Sequence, residues 1–352
     1  MYNGRAPGRN IAESEDGFYI TAGNYLYFLD LTQGKALPLC SKPNCLHAQE
    51  AAAPEACNAY FFPFDSVGAP VFYTDGKLYV FTYTAASPFG KRQLALTEVS
   101  ADGAARKDLY TFSTSELGAS SRMLVHRGCF YVVLRQMTET DVSYSVWQYP
   151  LDKKGEPKCL LSSADVPDYI NFDHIYAADD YLYFLADLTA SSEPVSLRLS
   201  IPDRTLERLY NIGDAGHWIS ETRVYGDTLF NIVIALERQT SDVDGYVQRQ
   251  GESEPSFWGT LPLGQIVADD LYVYQLDLYY DTAASRKSLR IYTQTGALLM
   301  EYPVEDEIPD YRNLYVGKEQ VLLSAKDNSA YWYFDKSDIP SGIPQWKRIV
   351  LE

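Results

Sequence analysis

The chain has 352 residues, 46% of them hydrophobic and 14% aromatic, enough for a sizeable packed core and too much for a disordered polyelectrolyte. Its 47 acidic residues outweigh 30 basic ones for a formal charge of −17, which argues against the basic surface of a nucleic-acid binder. Apolar runs are short and interrupted, well below the ~20 residues of a spanning helix, so no membrane span is expected.

From the N-terminus, Met1-Tyr2-Asn3-Gly4-Arg5 is polar and runs straight into loop-like sequence. No targeting segment shows, so the protein is either cytosolic or an export signal has been removed. A pattern then begins that recurs to the end of the chain: an apolar segment, a tight turn with Gly or Asp, and a Tyr-rich alternating strand. It appears at Asp16-Gly17-Phe18-Tyr19, Asp75-Gly76-Lys77-Leu78-Tyr79, Gly128-Cys129-Phe130-Tyr131 and Asp179-Asp180-Tyr181-Leu182-Tyr183. Tyr225-Gly226-Asp227, Asp269-Asp270-Leu271-Tyr272 and Val316-Gly317-Lys318 complete the set, the turns recurring every 44 to 59 residues. Gly and Asp tolerate the positive φ of two-residue hairpins, so each mark reads as a turn between antiparallel strands. The 29 tyrosines suit half-buried strands, with the ring packed and the hydroxyl at water.

Each mark is followed by a second strand, a polar loop, a third strand, a turn and a fourth strand. The fourth repeat shows it best: His174 to Ala177, Tyr181 to Ala186, Val195 to Ser200 and Leu206 to Tyr210. Four strands per unit at this period, without helical periodicity, predict an all-β fold, a β-propeller of seven four-stranded blades. The blades are expected at about 8–40, 64–114, 121–163, 170–212, 217–260, 261–304 and 310–352, in one domain. The alternatives are a large β-sandwich or two smaller β domains, but no Pro/Gly/Ser linker divides the chain. In a propeller the link from strand four to the next strand one shares a face with the loop between strands two and three. Long segments such as 40–63, 82–91, 187–194 and 237–258 are expected there. Binding residues concentrate on such loops.

The most specific local feature is Cys40-Ser41-Lys42-Pro43-Asn44-Cys45-Leu46-His47, followed by Cys57. Three thiols and an imidazole within 18 residues could complete a tetrahedral Cys3His zinc site, structural because no position stays open. The rivals are a disulfide among these cysteines, with His47 an ordinary surface residue, or three reduced thiols in a loop. Pro43-Asn44 favours the turn that brings Cys40 and Cys45 together. Cys129 and Cys159 fall in strand patterns and read as structural.

The Cys40…Pro43-x-Cys45-x-His47…Cys57-x-Ala59 segment follows the strand Tyr25 to Leu31. Together they resemble a family of uncharacterised Tyr-rich β-propeller lipoproteins of Gram-positive gut bacteria, a domain of unknown function. The resemblance covers the first blade and extends to the rest through the Tyr-rich repeats. It implies a seven- or eight-bladed propeller outside the cytoplasm, at the cell surface, held by a lipid anchor whose signal is absent from this sequence. It brings no catalytic residue.

The chain has no Gly-x-Ser-x-Gly elbow, no phosphate-cradling Gly-rich loop and no His-Glu-x-x-His. His126 and His174 precede turn marks on inner strands and read as hydrogen-bonded core or channel residues. A glycoside-active enzyme would need two carboxylates about 5–10 Å apart, for which Asp173 and Glu221 at the channel mouth are the candidates. Asp179-Asp180 and Asp269-Asp270 read as hairpin chemistry. Asp242-Val243-Asp244-Gly245 is half of a calcium loop, or a solvated turn. The expectation is therefore a non-enzymatic binding module. Trp218, Tyr246, Phe257 and Trp258 on the long-loop face would contact a cell-envelope glycan, a peptide or a partner protein.

Overall fold

A computed structural model describes residues 10–43, 45, 47, 57–62, 69–84, 93–113, 122–137, 142–209, 217–226, 228–235, 242–249, 251–277, 287–304, 308 and 311–351. Seven four-stranded antiparallel sheets follow one another along the chain, each a simple meander, as the blades of a β-propeller. None of the described helices is long and apolar enough to cross a membrane.

The strands fall in two compact units. The unit Pro7–Pro167 with Ile349–Glu352 holds three blades. Blade 1 is β1 (Ile11–Glu13), β2 (Gly17–Ala22), β3 (Tyr25–Asp30) and β4 (Lys35–Pro38). Blade 2 is β5 (Val71–Thr74), β6 (Lys77–Tyr83), β7 (Leu94–Val99) and β8 (Arg106–Phe112). Blade 3 is β9 (Met123–His126), β10 (Cys129–Met137), β11 (Val142–Pro150) and β12 (Lys158–Ser162).

The unit Met1–Ala6 with Asp168–Arg348 holds the rest, apart from Ile349 and Val350 at the end of the last strand. Blade 4 is β13 (Tyr169–Ala178), β14 (Tyr181–Leu188), β15 (Pro194–Ser200) and β16 (Leu206–Arg208). Blade 5 is β17 (His217–Tyr225), β18 (Thr228–Ala235), β19 (Asp242–Arg249) and β20 (Ser256–Pro262). Blade 6 is β21 (Gly264–Ala268), β22 (Tyr272–Asp277), β23 (Ser288–Thr293) and β24 (Leu298–Pro303). Blade 7 is β25 (Tyr311–Val316), β26 (Gln320–Ala325), β27 (Ala330–Asp335) and β28 (Lys347–Val350), with a 3-10 helix, Lys336–Ser341, before its last strand.

Every Gly or Asp mark lies at the turn between a blade's first and second strands. At Asp75-Gly76 and Arg127-Gly128 both central residues have positive φ, 52° and 73° in the first and 45° and 72° in the second. That is the mirror-image turn whose twist matches the flanking strands.

Within each unit the first strands of successive blades touch, β1 to β5 to β9 in one and β13 to β17 to β21 to β25 in the other. The second and third strands carry the core, and neighbouring blades pack face to face. Between blades 2 and 3, Phe81 and Phe130 stack at 5.9 Å while Phe112 meets Tyr149 edge-on at 5.2 Å. Between blades 6 and 7, Tyr274, Ile291, Tyr311, Leu323 and Phe334 interlock. Each such buried side chain contributes roughly 1.5–3 kcal/mol. One blade alone would leave these faces wet, which is why the repeats must stack.

The tyrosines differ from expectation. Tyr176, Tyr274, Tyr311 and Tyr331 are fully buried rather than half-buried. Three of their hydroxyls bond to protein: Tyr274 donates to Asp269 Oδ2 at 2.9 Å, Tyr311 donates to the Asp277 carbonyl at 2.7 Å, and Tyr176 accepts from Arg223 Nη1 at 2.7 Å. Such partners offset the cost of taking a hydroxyl out of water.

Candidate metal centre and aromatic surface

The connection leaving β4 is built onto blade 1. Leu39 N–H donates to the Leu26 carbonyl at 2.8 Å, so Cys40 emerges beside the turn between β2 and β3. Cys45 N–H donates to the Lys42 carbonyl at 3.4 Å, a tight turn through Pro43 that brings the second thiol back towards the first. The returning stretch pairs with the same blade: Leu26 N–H donates to the Ala59 carbonyl at 2.8 Å and Phe61 N–H to the Asn24 carbonyl at 2.7 Å. Tyr25 and Tyr60 form a β-bridge, and their rings meet edge-on at 5.6 Å. The connection and the β2–β3 turn thus lie on one side of blade 1, as propeller geometry requires. Cys57 and Ala59 are buried against Tyr25 and Tyr27, with Leu351 packed on the same cluster.

This folding gathers Cys40, Cys45, His47 and Cys57, whose donor atoms all lie within 4.8 Å of one another. His47 Nδ1 is 3.3 Å from Cys57 Sγ. Sulfur ligands at about 2.3 Å from a tetrahedral zinc sit about 3.8 Å apart, so the four donors need only a small contraction to fit the ion. None of the five cysteines is joined in a disulfide. The cluster can hold a metal.

Two thiols are tuned in opposite directions. Burial pushes Cys57 up to about 11, against the Ala59 N–H that bonds its sulfur and with the Cys45 and Cys40 thiols adding to the rise. Cys40 also feels burial, but the Lys42 and Asn58 backbone N–H groups and the Cys45 and Cys57 thiols hold it below the ordinary thiol range. A bound dication would supply what Cys57 lacks, since a coordinating thiol is deprotonated outright.

The residues proposed for ligand contact are not on a loop. The stretch 237–258 contains β19 and the start of β20, in which Tyr246 is the cross-strand partner of Phe257. Gly245 misleads as a turn signal. It is bare because the Phe230 and Trp258 rings cross its strand, and a Cβ there would lie 2.8 Å from Phe230 Cζ. Asp242-Val243-Asp244-Gly245 is therefore neither a calcium loop nor a solvated turn. Asp244 is buried and accepts from Thr260 Oγ1 at 2.7 Å.

Trp258 is committed to the scaffold: its ring meets Phe230 and Tyr292 edge-on at 5.3 and 5.6 Å, and its Nε1 donates to the Gln294 carbonyl at 2.9 Å. Phe257 is 59% exposed, its ring 5.5 Å from that of Tyr246. Trp218 lies on β17, opposite Ile234, and Glu221 lies on the same strand; the side chains of both are outside the described residues. Asp173 is half-buried on β13, where the register shifts, and its Oδ1 accepts the His174 N–H at 2.8 Å. Cys129 and Cys159 sit half-buried on β10 and β12.

Sequence reasoning missed the groups that hold the candidate metal loop from the neighbouring blade. Arg106, which opens β8, places its guanidinium 3.9 Å over the Phe61 ring and donates to the Tyr60 carbonyl at 2.8 Å and to the Asn58 carbonyl. Gly103, in the β7–β8 turn with φ +69°, abuts Leu39, where a Cβ would lie 2.2 Å from the carbonyl oxygen. A Gly in a turn was a readable signal for tight geometry; nothing local marks Arg106.

No protein-family model and no curated protein matches the sequence. Solved structures do resemble it. An oligogalacturonate lyase in complex with manganese superposes with a TM-score of 0.55 at 11% identity, covering 93% of this chain and 83% of the lyase. The β-propeller domain of the Trilobed protease from Pyrococcus furiosus gives 0.54 at 11%, covering 83% and 84%. The GH74 xyloglucanase from Xanthomonas campestris gives 0.56 at 11%, covering 99% of this chain and 55% of the enzyme. The likeness is one of fold.

Proposed function

We propose that the protein is a non-enzymatic binding module working outside the cytoplasm, which takes a cell-envelope glycan, a peptide or a partner protein on aromatic surface carried by a rigid propeller. The observation that carries this reading is the Tyr246–Phe257 pair, a large exposed ring held in place by a cross-strand neighbour rather than by a loop. Such pairs offer contact area at little entropic cost. The acidic net charge disfavours anionic ligands. In the same reading Cys40, Cys45, His47 and Cys57 hold a structural zinc, because three thiolates and one imidazole fill a tetrahedron and leave no position for substrate. The cell-surface location and lipid anchor rest on the resemblance of the first blade to surface lipoproteins.

A glycan array, a peptide library and a panel of chromogenic glycosides test the reading together. Binding without turnover, reduced at least tenfold by Phe257→Ala with an unchanged melting temperature, is the expected outcome. Turnover of a glycoside that vanishes in Asp173→Asn or Glu221→Gln would replace the module by a hydrolase.

A further inference from the structure

The metal-binding reading of the four-donor cluster leaves open what the ion fastens, and blade 2 supplies an answer. The two ends of the ligand-bearing connection are gripped by one hairpin that contains no ligand. Before Cys40, Leu39 is pressed against Gly103 so closely that no side chain fits between them. After Cys57, the carbonyls of Asn58 and Tyr60 both accept from the Arg106 guanidinium, which also lies over the Phe61 ring. Asn58 bridges the two ends, its Nδ2 reaching Ser41 Oγ at 3.4 Å and the Ala104 carbonyl at 3.5 Å. Beyond it the chain continues into blade 2, where Phe62 forms a β-bridge with Tyr83.

We propose that metal binding at Cys40, Cys45, His47 and Cys57 is coupled to docking of this connection on the β7–β8 hairpin, with Arg106 the positioning residue that carries the coupling. The proposal rests on the metal-binding reading above. Three thiolates around a dication leave the centre with a net negative charge, and Arg106 is the cation placed against the backbone that carries Cys57. Its guanidinium is desolvated by the ring and carbonyls, which pulls its pKa down, while the Cys57 and Cys40 charges oppose that fall. The residue as a whole stays open to solvent while its guanidinium lies over the Phe61 ring. Two carbonyls spaced by one residue need two donors in a fixed fork, which a guanidinium has and an ammonium lacks. Linkage makes the coupling reciprocal: whatever factor docking adds to metal affinity, the metal adds to docking.

The experiment is a competition of cobalt and zinc against a chromophoric chelator, using the full chain, for wild type, Arg106→Gln and Arg106→Lys. Outer-sphere partners of metal ligands are worth about 10–100-fold in affinity, and the solvent exposure of Arg106 points to the lower end. Arg106→Gln should therefore bind zinc about tenfold more weakly, with Arg106→Lys between it and wild type. The thiolate-to-cobalt absorption should keep its wild-type shape in all three, since the ligand set is intact. Gly103→Ala, which pushes the hairpin away from Leu39 without touching charge, should weaken zinc in the same direction. Wild-type protein that binds neither ion removes the metal-binding reading and this inference with it. Wild type that binds, with Arg106→Gln within twofold of it, overturns the inference alone.

Discussion

Two segments of the molecule are fixed by residues distant in sequence, and they are fixed by opposite means. The connection after blade 1 brings together three thiols and an imidazole and is gripped by Arg106. The β21–β22 hairpin of blade 6 is held by one buried carboxylate. Asp269 Oδ1 accepts the Leu271 and Tyr272 N–H groups at 2.8 and 2.9 Å, while Oδ2 accepts from Tyr274 at 2.9 Å and from Lys336, on the 3-10 helix of blade 7. Both partners of that ion pair are buried, and the Lys336 ammonium lies 5.7 Å from the Tyr274 ring centre. The blade 6 lock is complete within the polypeptide, so its strength is set by folding. In the metal-binding reading proposed above, an added ion would complete the blade 1 fastening, and its strength would follow metal supply and thiol oxidation.

The comparison is broken most decisively at the charged lock. Lys336→Met leaves the Asp269 carboxylate buried without its cation and should lower unfolding free energy by about 3–5 kcal/mol, read by urea denaturation. Lys336→Met combined with Asp269→Asn should recover much of that loss, because no unpaired charge remains. A loss below about 1 kcal/mol in the single variant would show that the hairpin is held otherwise. At the other fastening, Cys57→Ser should cost about 2–3 kcal/mol when zinc is saturating at ~100 times its dissociation constant, and much less after chelation. A cost that does not depend on the chelator would make Cys57 a packing residue only.

Two further changes sharpen the contrast between fastened and merely packed strands. Gly245→Ala must displace the Phe230 ring and should cost about 1–3 kcal/mol in thermal unfolding. Phe257→Ala, on the same sheet but at a residue 59% exposed, should shift stability by less than about 0.5 kcal/mol while weakening ligand capture at least tenfold. Equal destabilisation by the two would mean that Phe257 is part of the core.

The hairpin marks were readable because the chemistry is local: Asp75, Gly76 and Gly128 adopt the left-handed backbone that Gly and Asp tolerate, and Arg127 follows at the turn that Gly128 closes. The Cys/His cluster was readable for the same reason, its four members lying within 18 residues. What could not be read is pairing at a distance. Arg106 lies 46 residues beyond Tyr60 and looks like any surface arginine at a strand start. Lys336 lies 67 residues from Asp269, whose carboxylate the sequence assigned to its own hairpin; it does serve there, with its second oxygen given to Lys336 and Tyr274. Gly245 was misread because a missing side chain signals a turn and a ring crossing equally well.

The four donor atoms also close a neck. His47 and Cys57 are ten positions apart in sequence, yet their donor atoms nearly touch, so the stretch between them begins and ends at one point. An ion bound to both would therefore hold the two sides of a cut made between His47 and Cys57 together, as a staple that needs no peptide bond.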